Sequence, residues 1–387
     1  MDQPDQEKPL AAAPLAAPDR LVAIDILRGV ALFGVMAINV AFEFRVSIFQ
    51  QFLGSDRTAS PFDTAIASFL DHAIAMKAFA LFSLLFGIGL AIQFERIEPN
   101  KRAALLTRRL LVLLAFGVVH LTLIWNGDIL TEYALAGLLA LPFLFGPQWL
   151  LGAGSATSLG LYFSSALNRL VPLADPASMN RHILEATHVY GSASFSDILA
   201  FRIQEIGTIA PLHLWIFPRT LGLFLLGAFI WRTGQLRRAT EHAVWLLLAG
   251  FAALVASIDA GRELAPVTLG LAYMCIIIGA ASTWRGASLL GWAAPLGRMA
   301  FTNYLMQSLI FGFIFYNYGL GLFGRLSVSA ALGLGIVVYL MQVMMSGWWL
   351  THFAFGPVEW LWRSLMYGRM QPMRRSSPAP CIRAAIS

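Results

Sequence analysis

Stretches of about twenty apolar residues return along almost the whole chain, and no other feature of the sequence restricts its fold as severely. A bilayer core roughly 30 Å thick is crossed by about 20 such residues in a helix. In lipid, every backbone N–H and C=O must be satisfied within the spanning structure, which leaves helices or closed barrels. The runs here are continuous instead of alternating, so they read as helices. Ten spans are expected, at 21–42, 74–94, 104–125, 129–145, 149–167, 209–231, 243–258, 266–283, 299–318 and 328–350. The expected fold class is all-α, a polytopic integral membrane protein of about ten transmembrane helices with both termini cytoplasmic. Only 12% of residues are charged and 58% are hydrophobic, against roughly 25% charged in a soluble domain. That composition excludes an ordinary soluble enzyme.

Basic residues set the orientation, because Lys and Arg in short loops stay on the cytoplasmic side. Arg96, Lys101, Arg102, Arg108 and Arg109 follow the second span, Arg232, Arg237 and Arg238 follow the sixth, and Arg363, Arg369, Arg374 and Arg375 follow the last. With ten spans, all three groups fall on one side. The net charge of +6 therefore reads as membrane topology, and the expected partner is the lipid bilayer, with no nucleic acid; an oligomer is compatible with the sequence. Residues 1–20 are rich in Pro and Ala and lack the basic start of a cleavable signal, so they read as a disordered tail before an uncleaved anchor. Residues 21–368 then form a single transmembrane domain with an external loop near 168–208, in which one or two amphipathic helices are expected. Residues 61–73 begin as an interfacial stretch, and 369–387 form a basic cytoplasmic tail. Cys275 lies in an apolar segment and Cys381 in the tail, so no disulfide framework is implied.

The polar residues inside the spans need a reason to be there, because charges in hydrocarbon are costly and are usually paired or functional. On the first span Asp25, Arg28, Leu32, Val35 and Asn39 follow one another at spacings of three and four, along one helix stripe. Asp25 and Arg28 either form an ion pair that snorkels to the interface or face a polar site; Asn39 either bonds a neighbouring helix or shares that site. Arg219, directly after Pro218, sits near the middle of the sixth span. It either satisfies carbonyls freed by the proline or binds an anionic group through its guanidinium fork.

The third span ends in "GVVHLTLIWNGDILTEYALAGL". His120 lies near the outer end, Asn126 and Gly127 make a turn, and Asp128 is placed to cap the next helix, with Glu132 one turn on. A histidine facing two carboxylates is a candidate general base. On the ninth span Arg298 stands at the inner boundary, and Asn303 and Gln307 form an i,i+4 pair beside Tyr304 and Ser308, either as interhelical glue or as part of a site. Asp25, Arg28, Arg298, Asn303 and Gln307 thus make an inner polar group, His120, Asp128 and Glu132 an outer one, and Arg219 lies between them. His72, His182, His188 and His213 are weaker candidates. No metal site, P-loop, GxSxG elbow or dinucleotide fingerprint is present in the sequence, and "GLGLFG" before the last span is a glycine-rich turn.

Several stretches together, "IDILRGVALFGVMAINV", "FALFSLLFGIGLAIQFER", "RRLLVLLAFGVVHLTLIWNGDILTEYALAGLL", "FPRTLGLFLLGAFIWRTG", "GRMAFTNYLMQSLI" and "GPVEWLWRSLMYG", resemble the YeiB-like family of bacterial membrane proteins, a domain of unknown function (DUF418). They cover the chain from about residue 25 to 368 in order. That family is grouped with transmembrane acyltransferases, including the heparan-alpha-glucosaminide N-acetyltransferase type. The resemblance implies a multi-pass protein of the bacterial inner membrane that takes an acyl group, most simply acetyl, from acyl-CoA inside and passes it to an acceptor at or beyond the outer face. Acyl-CoA would be a co-substrate, no bound cofactor is implied, and the acceptor would be a small molecule or a glycan. In the polysaccharide-modifying branch an Arg-Gly pair on the first helix is followed about three turns later by a catalytic histidine. This chain has Arg28 and Gly29, but Asn39 at the later position. The lysosomal-type branch also has asparagine there and takes its histidine from the segment before the second span, where residues 41–70 of this chain carry none. His120 is then the best base.

Two functions follow. In an acyltransferase, Arg28, Arg298 and Arg219 hold donor phosphates or polarise the acyl carbonyl, while His120, oriented by Asp128 or Glu132, deprotonates the acceptor. In a transporter or exporter of a small anionic or amphipathic solute, the arginines bind cargo and Asp25, His120 and Glu132 relay protons. Against transport, the sequence shows neither an internal repeat nor a matched pair of interrupted helices.

Overall fold

The structure, a computed structural model, describes residues 22–53, 60–172, 174–258 and 261–375. The tail expected at 1–20 and the part of the basic tail beyond 375 lie outside the described residues. From the N-terminus, α1 spans Val22–Ile38 and continues as a π-helical turn, Asn39–Phe44. A 3-10 turn, Ile48–Phe52, follows, then α2 (Pro61–Phe69), a second π-helical turn (Leu70–Ile74) and α3 (Lys77–Arg96). Next come α4 (Arg102–Val119), a third π-helical turn (His120–Ile124), α5 (Leu130–Phe145) and α6 (Gln148–Phe163). The short α7 (Ser165–Leu170) and α8 (Pro176–Ser192) precede the long α9 (Phe195–Arg232). The second half contains α10 (Ala243–Ala256), α11 (Gly261–Ala281), α12 (Trp284–Leu290), α13 (Ala293–Arg298), α14 (Ala300–Phe315), α15 (Val328–His352) and α16 (Pro357–Tyr367).

Ten of these helices, α1, α3 to α6, α9 to α11, α14 and α15, coincide with the ten apolar runs. Six stretches are long and apolar enough to cross a bilayer alone: Val22–Phe44, Pro61–Arg96, Pro99–Ile124, Phe195–Arg232, Leu264–Ala281 and Val328–His352. Leu130–Phe145, Ala243–Ala256 and Ala300–Phe315 are shorter apolar helices. The chain is an all-α polytopic membrane protein. The outer faces of α10 and α15 carry exposed Trp245, Leu248, Val255, Met344, Met345 and Trp348, which is how a helix presents itself to lipid. Arg237 bonds Glu95 at the end of α3 and Arg109 stacks on Trp362 of α16, so the three basic stretches meet at one end of the bundle, called here the basic end.

Lipid gives apolar helices no hydrophobic reason to associate, so their contacts depend on close backbone approach at small residues. A Cβ on Gly87 would lie 2.0 Å from the Phe224 carbonyl oxygen, and one on Gly227 would lie 2.1 Å from that of Leu84. These two glycines let α3 and α9 touch along their backbones at the centre of the bundle. Gly29 and Gly297 do the same for α1 and α13, with Cβ positions 2.1 Å from Ala293 O and 1.8 Å from Asp25 O. The glycine after Arg28 is therefore a packing requirement, whatever the arginine does.

The region 168–208 is helical for most of its length. The expected amphipathic helix is α8, capped by Asp175, whose side chain accepts the N–H of Ala177 and Ser178; the bond from Ser178 holds that carboxyl below its ordinary pKa. The sixth span was expected to start at 209, but α9 begins at Phe195 and runs unbroken past Pro211 and Pro218. At 1.5 Å per residue it is about 57 Å long, more than a bilayer core. Residues 61–73, expected as an interfacial stretch, form a largely exposed helix before α3.

Candidate functional site

At the end of α4 the regular helix gives way to a π-helical turn that begins at His120. Such turns are rare and concentrate at functional sites, since widening the helix sacrifices good hydrogen bonds. His120 is fully buried, and its Nδ1 lies 2.8 Å from Asp128 Oδ1. With an ionised carboxylate facing a neutral imidazole, Nδ1 carries the proton and Nε2 is left as an acceptor. Nε2 is buried with no hydrogen-bond partner among the described residues. Asp128 is held in turn: it accepts the backbone N–H of Leu130 at 3.1 Å and of Thr131 at 2.7 Å, capping α5. Trp125, stacked on Phe44 at 4.1 Å, closes one side of the imidazole, and the Tyr304 ring lies 5.3 Å from it on another, with its hydroxyl also buried and unpartnered among the described residues.

Glu132 is near this pair but is committed elsewhere. Its Oε2 lies 2.9 Å from His213 Nδ1 and its Oε1 accepts the hydroxyl of Thr220, both on α9. The orienting group of His120 is therefore Asp128; Glu132 orients a second histidine. His213 also feels the charges of Asp128 and Glu43. Arg219, next to Thr220, is 3% exposed, and its Nε and Nη1 have no partner among the described residues. Its guanidinium stands 5.7 Å from the Tyr162 ring. Of the two alternatives for Arg219, carbonyls freed by Pro218 do not bond these two nitrogens.

Beyond this group, away from the basic end, Glu205 on α9 is met by three side chains. Its Oε2 accepts from Asn126 Nδ2 at 2.7 Å and from Tyr190 Oη at 2.6 Å, and its Oε1 lies 2.9 Å from His182 Nε2. The other ring nitrogen of His182 meets Ser47 Oγ at 3.3 Å. Burial, with the Glu205 charge beside it, pushes the Tyr190 phenol well above its ordinary pKa. This cluster binds α8, α9, the 3-10 turn and the turn before α5 into one cover over the His120 end.

The residues expected at the inner side separate into two arrangements. Arg28 Nη1 bonds Asp25 Oδ1 at 3.0 Å at the basic end, and Arg298 closes α13 next to Gly297, which packs on the Asp25 carbonyl. Asn303 and Gln307 belong to the seam between α14 and α15: Asn303 Nδ2 donates to Ser346 Oγ at 2.9 Å, Gln307 Nε2 to Gln342 Oε1 at 2.8 Å, and Gln342 Nε2 returns to Asn303 O at 2.9 Å. Asn39, 4% exposed, opens the π-helical turn of α1, and its Oδ1 has no partner among the described residues. From Arg28 to Asn39 the rise along α1 is roughly 16 Å, so the two ends of the stripe are separate places.

Sequence reasoning set His213 and His182 aside and missed Glu205, Tyr190, Thr220 and Glu43. The available signal for His213 was its seven-residue spacing from Thr220, which puts both on the same face of a helix. What the arrangement can do chemically is clear at His120: an acceptor nitrogen in a dry environment, with its tautomer fixed by a carboxylate. Among the described residues no group of three or more His, Cys, Asp or Glu is placed to hold a metal ion.

Residues 239–369 match the family described as "Protein of unknown function (DUF418)". The chain is similar over nearly its whole length to the uncharacterised protein YxaH of Bacillus subtilis, with 34% identity over 402 aligned positions that cover 94% of this chain and 98% of that one. It is similar also to the uncharacterised protein YeiB of Escherichia coli, 29% identical over 387 positions (90% and 96%). A third relative, an uncharacterised 39.9 kDa protein in the amylase 3' region of Bacillus acidopullulyticus, is 28% identical over 381 positions (93% and 97%).

Proposed function

The chain belongs to the YeiB-like DUF418 family of membrane proteins, and from that premise we propose that it is a transmembrane acyltransferase of the bacterial plasma membrane. It moves an acyl group, most simply acetyl, from acyl-CoA to an envelope or exported acceptor. The observation that carries this reading is His120, with Nδ1 bonded to Asp128 and Nε2 buried and open. Nearly all buried polar atoms in a fold are satisfied, so one left open calls for an explanation, and a substrate hydroxyl or amine supplies it.

In the reaction, His120 Nε2 takes the proton of the acceptor O–H or N–H as that atom bonds to the thioester carbonyl carbon. The tetrahedral intermediate then collapses, the C–S bond breaks, and the departing CoA sulfur receives the proton from His120. Asp128 fixes the tautomer and stabilises the imidazolium formed in between. The Tyr304 hydroxyl and the open N–H groups of Arg219 are donors available to the developing oxyanion or to an anionic part of the substrate. Apolar helices around the site keep water from the thioester.

A second reading, proton-coupled transport of a small anionic or amphipathic solute, draws support from the Glu132–His213 pair and its neighbours Asp128 and Glu43, a chain of titratable groups inside a membrane protein. One experiment separates the two. Purified protein is incubated with radiolabelled acetyl-CoA and envelope extract; CoA release and a labelled product, both lost in His120→Ala, are expected. Absence of CoA release sinks the enzyme reading, and solute flux into proteoliposomes without CoA establishes the second.

A further inference from the structure

Arg219 carries a charge that the fold buries and does not answer. A guanidinium stays protonated in proteins, and at 3% exposure this one has not snorkelled to an interface. Its Nε and Nη1 are buried without a partner among the described residues. Glu132, the acid that the neighbouring Thr220 bonds, has its two oxygens on Thr220 and His213. No ion pair reaches Arg219 among the described residues. A buried water molecule would fill a bond and leave the charge, whereas a buried charge is ordinarily paired as well as bonded.

The surroundings of Arg219 differ from those of its neighbour. Thr220 turns to Glu132 on α5; Arg219, about 100° round the helix from it, turns to α6, where its guanidinium stands 5.7 Å from the Tyr162 ring. One turn before Arg219 on α9, the Trp215 ring lies 5.0 Å from the same tyrosine. One turn after it, Gly222 admits Leu159 of α6, whose Cγ would be 2.8 Å from a Cβ at that glycine. Arg219 is thus bracketed along the α6–α9 seam by aromatic and aliphatic side chains. Leu161 of α6 and Leu214 of α9 are exposed, so lipid lies alongside both helices.

We propose that Arg219 seats the carboxylate of an amphipathic substrate whose apolar part lies in the α6–α9 seam. One carboxylate neutralises one guanidinium and accepts its N–H groups in charge-assisted bonds, while a phosphate dianion would leave net charge in the same apolar surroundings. That the molecule is the acyl acceptor rests on the acyl-transfer reading. His120 and Asp128 belong to the α4–α5 turn, so Arg219 takes the end of the acceptor remote from the reacting atom and supplies binding and orientation.

The full chain in detergent, at neutral pH, is titrated with radiolabelled octanoate, its uncharged methyl ester and octyl phosphate, and its melting temperature is followed with each. Octanoate should bind and raise the melting temperature, and the ester should do neither. Binding should weaken about tenfold or more in Arg219→Met, the scale of one charge-assisted hydrogen bond, and less in Arg219→Lys, which keeps the charge and loses the planar edge. Without ligand, Arg219→Met should melt at or above the wild-type temperature, since it removes an unpaired buried charge at similar volume. Equal binding of octanoate and its ester, equal binding of octanoate to wild type and Arg219→Met, or an Arg219→Met protein that melts well below the wild type without ligand would each overturn the proposal; binding of octyl phosphate in place of octanoate would overturn the carboxylate assignment. Charge-selective binding without CoA release removes the acyl-transfer reading and leaves this seat, whereas CoA release undiminished in Arg219→Met removes the seat and leaves acyl transfer.

Discussion

The seam between α14 and α15 and the island around His120 are both polar places in an apolar bundle, and they differ in what they leave over. At the seam, Asn303, Gln307, Gln342 and Ser346 pass hydrogen bonds from one helix to the other and back. At the island, His120 Nε2 and Tyr304 Oη remain buried without partners among the described residues, as do Asn39 Oδ1 and two nitrogens of Arg219 elsewhere in the bundle. In sequence the two look alike. A closed network holds helices together and asks for nothing else, whereas an open one costs stability that only a ligand or a reaction repays.

The sharpest way to break this contrast is to remove the open acceptor. His120→Ala is expected to lower acyl transfer, read per folded molecule, by on the order of a hundred- to ten-thousandfold; the cavity it leaves and the donor it takes from Asp128 should also cost about 1 to 3 kcal/mol of stability in detergent. Asp128→Asn comes next. Asparagine still caps a helix well, so stability should change by about 1 kcal/mol or less, but the fixed tautomer is lost, and steady-state assays should show turnover falling by roughly tenfold or more.

The opposite outcome is expected at the seam. Gln342→Ala strands Gln307 Nε2 and leaves the Asn303 carbonyl short of a donor, so unfolding in detergent should register a loss of about 1 to 3 kcal/mol. Activity per folded molecule should be unchanged; a fall comparable to that of His120→Ala would show that the two regions are not distinct. The smallest effect is one of pH. Burial raises the Glu359 carboxyl above its ordinary value of 4.5, against the lowering influence of its bonds to Thr302. A group that binds its proton more tightly when folded contributes fully below its unfolded pKa, and the contribution declines as pH rises towards the folded value. Melting temperature should therefore slope downward from about pH 4.5, and Glu359→Gln should flatten that slope.

How much of this could be read in advance depended on distance along the chain. His120 and Asp128 are eight residues apart across one tight turn, and both the cap and the pairing could be anticipated from that spacing. Glu132 was read as a partner of the same histidine because it is near in sequence, but α9 crosses α5 and delivers His213 and Thr220, 81 and 88 residues away, to its two oxygens. Glu205 could not be read at all, since the side chains that meet it are Asn126, 79 residues before it, and Tyr190 and His182 on α8. Asn303 and Gln307 were legible as a pair, but whether they were glue or site depended on Gln342, which α15 carries on the facing side. The resemblance to YeiB-like proteins held over nearly the whole chain; the acyl-transfer chemistry attached to it remains the proposal put to test above.

By itself the sequence determined the class of the protein and where its ten apolar helices lie, because a bilayer requires backbone groups satisfied within an apolar segment. It also placed a histidine across one tight turn from Asp128 and Glu132, leaving open which carboxylate it would meet. Only the tertiary structure decided which buried polar atoms are satisfied. That is a property of facing helices, set where paired glycines let backbones touch and where α8 and α9 close over the bundle, and no single stretch of sequence contains it.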